Sequence, residues 1–120
     1  MKTTHGDMNL LQQLIDNMAD NIFFKDRDHK FILINQANTE WFGFKDPSEA
    51  IGKDDFDLFD ADFAQVAFED EERIMESGEP MLCDVEQTVH GGQVVWGSVS
   101  KLPLRDSKGN IIGIMGIGRD

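Results

Sequence analysis

The sequence predicts an α+β fold: a five-stranded antiparallel sheet with helices on one face, preceded by an amphipathic flanking helix. Two short runs rich in β-branched and aromatic residues follow position 20, and three longer runs of this kind follow position 80. A helical block separates the two groups, which is typical of α+β domains and not of alternating βαβ units. The 120 residues have room for one hydrophobic core.

The first twenty residues are predicted to form a lead-in and the flanking helix, and residues 21–120 the domain itself. A helix is expected over Met8–Met18, because apolar residues recur there at helical spacing. These residues are Leu11, Leu14, Ile15 and Met18. A helix of about 11 residues does not persist alone in water, so this apolar stripe must pack against another surface.

The remaining elements follow from periodicity and from turn residues. Gly78 ends the long helix and Pro80 prevents its continuation. Glycine-rich and Asp-Ser-Lys-Gly-Asn turns separate the last three strands. In chain order we expect strands over 21–26 and 30–35, a short helix over 36–42, a long helix over 60–77, and strands over 81–90, 93–104 and 111–118.

One face of the long helix combines apolar residues with a carboxylate. At 100° per residue, this face carries Phe63, Val66, Ala67, Asp70 and Ile74. A carboxylate in such a position needs a cationic partner if it is buried.

The charge of the chain argues against several classes of partner. The formal net charge is −12, and ten acidic residues but one basic residue lie between Asp54 and Glu76. Nucleic-acid binding needs a basic face, and anionic lipid attracts basic segments, so neither partner is expected. The single cysteine excludes a site with several cysteine ligands, and the calcium-loop pattern is absent. With no signal peptide or apolar span in the sequence, we expect a cytosolic domain without a metal.

Six segments carry a resemblance to a known family. They are Ile22-Phe-Phe-Lys-Asp26, Phe31-Ile-Leu-Ile-Asn35, Trp41-Phe-Gly-Phe44, Ile51-Gly-Lys-Asp-Asp-Phe56, Lys101-Leu-Pro-Leu-Arg-Asp106 and Ile112-Gly-Ile-Met-Gly-Ile-Gly-Arg-Asp120. In this order and spacing the chain resembles a PAS domain of the sensory-box type over about residues 10–120. The resemblance implies a regulatory domain without its own catalytic set, relaying ligand or partner binding to a C-terminal output module. A sensor histidine kinase is the first expectation for the parent protein, and a diguanylate cyclase is the alternative.

The resemblance also allows cofactors to be considered. Relatives that form flavin adducts need a cysteine in the helical block, and haem-binding relatives need a histidine on the long helix; this chain has neither. His5, His29 and His90 fall in a tail and in turns, where solvated side chains are expected. No cofactor is therefore predicted, and an unidentified small-molecule ligand remains open.

Comparison with ligand-binding PAS domains suggests which strand residues face a pocket. The pocket candidates are Lys101, Gln87, Cys83, Asp70, Val99 and Ile114. A buried Lys101 ammonium needs a carboxylate, which Asp70 or Asp55 could supply. Alternatively, Lys101 binds an anionic ligand at the pocket mouth, or extends its amine to solvent.

The opposite strand parity predicts an apolar outer face made by Trp96, Met115 and Ile117. The flanking helix is expected to cover this face, either in its own subunit or in the partner of a homodimer. A ligand sensor and an interaction module with a filled core both fit this arrangement. No Ser/His/Asp or Cys/His set suggests an autonomous enzyme.

Overall fold

A five-stranded antiparallel sheet in the order β2-β1-β5-β4-β3 forms the floor of the domain. The computed structural model describes residues 5–119, so the first four residues of the predicted lead-in and Asp120 lie outside the described residues. The helices are α1 (His5–Asp16), α2 (Gln36–Phe42), α3 (Asp55–Leu58) and α4 (Ala61–Ser77), with a 3-10 turn at Pro47–Glu49. The strands are β1 (Asn21–Asp26), β2 (Phe31–Ile34), β3 (Met81–His90), β4 (Gln93–Arg105) and β5 (Ile111–Arg119). The α+β fold class is confirmed.

Side-chain caps and left-handed residues set the helix ends. The side chain of Asn35 accepts a hydrogen bond at the start of α2, and that of Asp60 does the same for α4. Gly43 and Gly78 end these helices with φ of 79° and 74°, a conformation that favours glycine. Because these signals are local, the bounds predicted for α2 agree with the structure and those for α4 differ by one residue.

The flanking helix begins earlier than predicted and ends at Asp16, which leaves Met18 outside it. Asn35 connects its C-terminal end to the sheet. The Asn35 Nδ2 donates to the Ile15 carbonyl at 2.7 Å, and its Oδ1 accepts from the Ile22 amide at 3.0 Å. Ile15 is buried and Leu11 half-buried, whereas Leu14 is 64% exposed. The helix therefore buries only part of its apolar stripe in its own subunit.

A β-bulge near the start of β3 changes which residues face inward. Met81 pairs with Lys101 but Asp84 pairs with Val99, so β3 has one residue more than β4 in this interval. Cys83 lies within the bulge at φ 53°, in the left-handed region. An extra residue reverses the alternation of side chains beyond it. Glu86 and Thr88 therefore face inward, and the predicted inward orientation of Cys83 and Gln87 is wrong.

The inner face of α4 is also displaced from the predicted one. Val66 is exposed, and Asp70 is half-buried and pairs with Arg73 at 2.6 Å. The buried residues of the helix are Ala64, Ala67, Glu71, Ile74 and Met75. The prediction that a carboxylate lies on the buried face of α4 is correct, but this carboxylate belongs to Glu71 and not to Asp70. Ile74 and Met75 pack with Ile114 into one core cluster.

Candidate functional site

Glu71 is the centre of a buried cluster of charges between α4 and the sheet. Its carboxylate accepts hydrogen bonds from Lys25 Nζ at 2.9 and 3.1 Å and from Lys101 Nζ at 2.8 Å. Lys25 Nζ also donates to Asp55 Oδ2 at 2.7 Å. Glu71 is completely buried, and Lys25, Lys101 and Asp55 are also buried. Strands β1 and β4 therefore each direct an ammonium group toward the same helical carboxylate.

His29 completes this cluster from the β1–β2 turn. Its Nδ1 lies 3.0 Å from Glu71 Oε1, and its Nε2 lies 2.7 Å from Glu72 Oε1. Its ring packs against Phe68 at 4.2 Å between centroids. Both ring nitrogens can donate to carboxylates only in the protonated imidazole. The expectation that His29 is solvated is wrong, because the turn folds the ring onto α4 and buries it.

The cluster shifts the pKa values of Glu71, His29 and Lys101 toward their charged forms. Burial opposes ionisation of Glu71, but His29, Lys25 and Lys101 outweigh it and lower the pKa of Glu71 far below its ordinary value. Burial also opposes protonation of His29 and Lys101. Hydrogen bonds from His29 to Glu71 and Glu72, and the Glu71 charge beside Lys101, nevertheless raise both pKa values. The three cations are thus balanced by Asp55, Glu71 and Glu72.

Beside this cluster lies a cavity of about 80 Å³, named here the sheet pocket. The inner face of the sheet forms one wall, and residues of α2, α3 and the start of α4 form the other. Its aromatic lining consists of Phe23, Phe31, Trp41, Phe42, Phe59 and Phe63. Its polar lining includes Lys25, Asn38, Asp55, Glu86, Thr88 and Lys101.

Three polar groups in the lining of the sheet pocket have unused hydrogen-bonding capacity. Trp41 Nε1 is buried and has no hydrogen-bond partner within residues 5–119. Lys101 Nζ has three protons and donates one hydrogen bond, to Glu71. Burial raises the pKa of Glu86, whose carboxyl makes no hydrogen bond to the described part of the chain. A buried donor without a partner is costly, so this lining is suited to a small polar molecule.

A larger opening of about 630 Å³ lies between α4 and β3 and is named here the α4–β3 groove. It shares Phe63, Glu86, Thr88, Val99 and Lys101 with the sheet pocket.

At the far end of β3, the His90 ring stacks on Trp41 with centroids 4.1 Å apart and planes 7° apart. His90 Nε2 also donates to the Trp41 carbonyl. The β3–β4 hairpin therefore reaches over α2, and His90 is exposed as expected but also contacts Trp41.

The six predicted pocket residues separate into four groups. Lys101 and Val99 line the sheet pocket. Asp70 and Gln87 line only the α4–β3 groove, and Asp70 does not pair with Lys101. Cys83 is exposed because of the bulge. Ile114 is buried in the core against α4 and does not line the pocket.

Four site residues were not predicted from the sequence: Lys25, Glu71, Glu86 and Trp41. Lys25 alternates with Phe23 and Asn21 along β1, so strand parity could have placed it inside. Glu71 lies seven residues after Ala64 and three before Ile74, which matches a helical stripe. No local signal indicated Glu86, because the bulge that turns it inward comes from the pairing of two strands.

The predicted outer face remains largely uncovered. Trp96 is 63% exposed and Ile117 is 41% exposed, while Met115 is half-buried. The helix α1 is held at the β2–α2 junction by hydrogen bonds from Gln12 to the Ile34 carbonyl and from the Gln36 amide to Asp16. The flanking helix therefore leaves Trp96 and Ile117 exposed within this subunit.

A family model described as PAS fold matches residues 15–120. The chain belongs to the PAS family. The methanogenesis regulatory histidine kinase FilI of Methanothrix harundinacea is 32% identical over 107 residues, covering 89% of this chain and 12% of FilI. These matches support a signalling sensor domain, which is a regulatory module and not a catalytic one. This PAS domain spans about an eighth of that kinase.

Solved structures also share the fold of this PAS domain. VqmA bound to DPO is 27% identical with a TM-score of 0.80, covering 98% of this chain and 57% of that one. A structure of the Vibrio cholerae VqmA dimer is 26% identical with the same TM-score, covering 99% and 52%. The PAS domain of Bordetella pertussis BvgS is 22% identical with a TM-score of 0.80, covering 97% and 87%, and supports the fold alone.

Two kinds of feature are absent from residues 5–119. No helix in this range is long and apolar enough to cross a membrane. No group of three or more histidine, cysteine or carboxylate side chains in the same range could hold a metal ion.

Proposed function

We propose that this PAS domain is a cytosolic sensor that binds a small polar molecule in the sheet pocket and relays its occupancy to an output module. The observation that carries this proposal is the buried Trp41 Nε1–H without a partner in an aromatic lining. A ligand acceptor at this position would remove the cost of the unsatisfied donor. The VqmA structure bound to DPO supports a ligand-binding function, since that relative covers nearly all of this chain.

The size of the pocket limits the ligand. A cavity of about 150 Å³ holds benzene, and the sheet pocket measures about 80 Å³. The ligand therefore has only a few non-hydrogen atoms, or it extends into the α4–β3 groove past the shared Glu86 and Thr88. An anionic ligand is disfavoured, because Asp55 and Glu71 already neutralise Lys25 and Lys101. The proposal therefore differs from the alternative in which Lys101 binds an anionic ligand at the pocket mouth.

The test is native mass spectrometry of the purified domain, followed by calorimetric titration with the extracted molecule. Trp41→Phe keeps an aromatic ring but removes the donor, and we expect about tenfold weaker binding. Trp96→Phe is the matched control, because it makes the same change on the exposed outer face. Two outcomes would favour the ligand-free interaction module. In one, no small molecule is found that binds the domain. In the other, both variants bind the molecule with the same affinity as the wild type.

The proposed parent protein is a histidine kinase, on the strength of the similarity to FilI. The full-length parent, incubated with labelled ATP, is expected to form an acid-labile phosphohistidine whose yield changes with the ligand. Formation of a cyclic dinucleotide from GTP would instead identify a diguanylate cyclase.

A homodimer is part of the same proposal. Trp96 and Ile117 of the outer face, together with Leu14 and Met18, offer exposed apolar surface for a second copy. The VqmA relative is described as a dimer. Sedimentation velocity is expected to show a dimer that Trp96→Lys dissociates and that Phe56→Lys, an exposed residue of α3, leaves intact. A wild-type monomer at about 100 µM would reject the dimer.

A further inference from the structure

The long edge strand β3 borders the α4–β3 groove with its backbone. Both inward-facing and outward-facing residues line the groove along an unbroken stretch, 84–89. Such continuous lining arises where the edge of a strand, and not one of its faces, is open. Within residues 5–119, β3 pairs only with β4, so every second residue directs its N–H and C=O away from the sheet.

The opposite edge of the sheet offers no comparable surface. There, β2 has four residues, whereas β3 has ten. Short edge strands are one means by which proteins prevent pairing with other chains. Neither lysine nor proline, which protect many edges, occurs within β3. The β3 edge is therefore long enough to accept an added strand.

The floor of the groove beside this edge is apolar. Val66 and Ala67 of α4, with Phe63, face β3 across the opening. Val66 is 59% exposed although it lies on a helix that packs against the sheet. A strand added to β3 would place alternate side chains over these residues and bury them.

The rim of the groove is strongly acidic. Asp60, Asp62, Asp70, Asp84 and Glu86 line it, and Lys101, its one lining cation in the described chain, is bound to Glu71. Burial raises the pKa of Glu86 first, and the nearby charges of Asp55, Asp70 and Asp84 raise it further. These carboxylates repel a second copy of a chain whose net charge is −12 and attract a basic partner.

We propose that the α4–β3 groove binds a basic extended peptide segment of another protein, which adds to the sheet as a strand beside β3. The open β3 backbone supplies main-chain hydrogen bonds. The peptide side chains that point toward α4 include apolar residues, which contact the floor, and lysine or arginine residues, which pair with the acidic rim. Peptide docking does not require a ligand in the sheet pocket, although the two spaces share Glu86, Thr88 and Lys101.

The probe is a fluorescein-labelled peptide of about ten residues, enough to span β3, in which lysine and valine alternate along one strand face and threonine occupies the other face. Anisotropy is expected to show binding that weakens as salt rises from about 50 to about 300 mM. A glutamate-valine peptide and a lysine-valine peptide with N-methylated backbone amides are expected not to bind. Hydrogen exchange of the complex should show added protection in β3.

Charge variants complete the test. Asp62→Asn with Asp84→Asn is expected to weaken binding about tenfold. Glu69→Gln with Glu76→Gln makes the same change in net charge on α4 outside the groove lining and should change affinity less than about twofold. The proposal is overturned if the peptide does not bind, if both double variants weaken binding equally, if the N-methylated peptide binds as well, or if protection appears on β2.

Discussion

The middle and the start of α4 face very different surroundings. Near its middle, every charge of the buried cluster has an opposite partner, and Glu71 alone binds three cationic side chains. Toward its start, α4 and β3 enclose an open groove, and Trp41 Nε1 nearby has no hydrogen-bond partner in the described part of the chain. The closed cluster fixes how the helix sits on the sheet, and the open end retains unused polar and apolar surface for binding. Substitutions in the two regions should therefore differ in how much they lower the free energy of unfolding.

The largest effect is expected for Glu71→Gln. Loss of this carboxylate leaves the ammonium of Lys101 buried without its partner, and breaking a buried pair costs about 3–5 kcal/mol. Urea unfolding followed by circular dichroism measures the change. Glu76→Gln on the exposed side of the same helix is the control and should change stability by less than about 0.5 kcal/mol. Equal stability of the two variants would show that the cluster does not stabilise the helix on the sheet.

Two glycine-to-alanine substitutions in β5 compare how much space the closed region and the sheet pocket have for an added methyl group. At Gly113 a Cβ would overlap the Lys25 carbonyl oxygen, a backbone atom that cannot swing aside. Gly113→Ala is therefore expected to cost about 1–3 kcal/mol or more. At Gly118, which lines the sheet pocket, the nearest atom would lie at 3.8 Å. Gly118→Ala should be neutral within about 0.5 kcal/mol in the same unfolding assay, and a large loss there would mean that the pocket has no spare space.

The pH dependence of stability should follow His29. Its folded pKa is raised, so the protonated ring stabilises the fold fully below its unfolded pKa of about 6.5, and this contribution is lost as pH rises through the folded pKa. Each unit by which the pKa is raised corresponds to about 1.4 kcal/mol. The charged and titratable groups around the ring are Lys25, Asp28, Asp54, Asp55, Glu71 and Glu72.

Asparagine tolerates the left-handed φ of 65° at position 29, so His29→Asn is the variant of choice. Unfolding free energies measured between about pH 6 and pH 8.5 should lose their decline in this variant. His90→Asn is the control variant, and its unfolding free energy should still decline with rising pH because it retains His29. A decline that persists unchanged in His29→Asn would assign the pH dependence to other groups.

Among the substitutions expected to reduce stability, the smallest loss is expected at the open end. His90→Ala removes the stacking on Trp41, which is worth about 0.5–1.5 kcal/mol. Hydrogen exchange should accelerate in the β3–β4 hairpin but not in β1. Uniform acceleration across the sheet would instead show that the hairpin is part of the cooperative core.

Local sequence patterns were sufficient for most of the fold. Gly43, Gly78 and the caps Asn35 and Asp60 act on their own helix ends, so their effects could be read from neighbouring residues. The order and spacing of six sequence segments also indicated the PAS family, and a family model confirms it. The candidate site was predicted only in part, since Lys101 and Val99 line the sheet pocket but Cys83 and Gln87 do not.

The sequence by itself determined the order and type of the elements, because periodicity and turn residues act over a few positions. Tertiary structure decided which side chains meet. Because β3 has one extra residue relative to β4, Glu86 and not Gln87 lines the sheet pocket. Because of the way α4 packs on the sheet, Glu71 and not Asp70 is the partner of Lys101. Both outcomes depend on strand pairing and helix packing between residues far apart in the chain, and no local pattern encodes them.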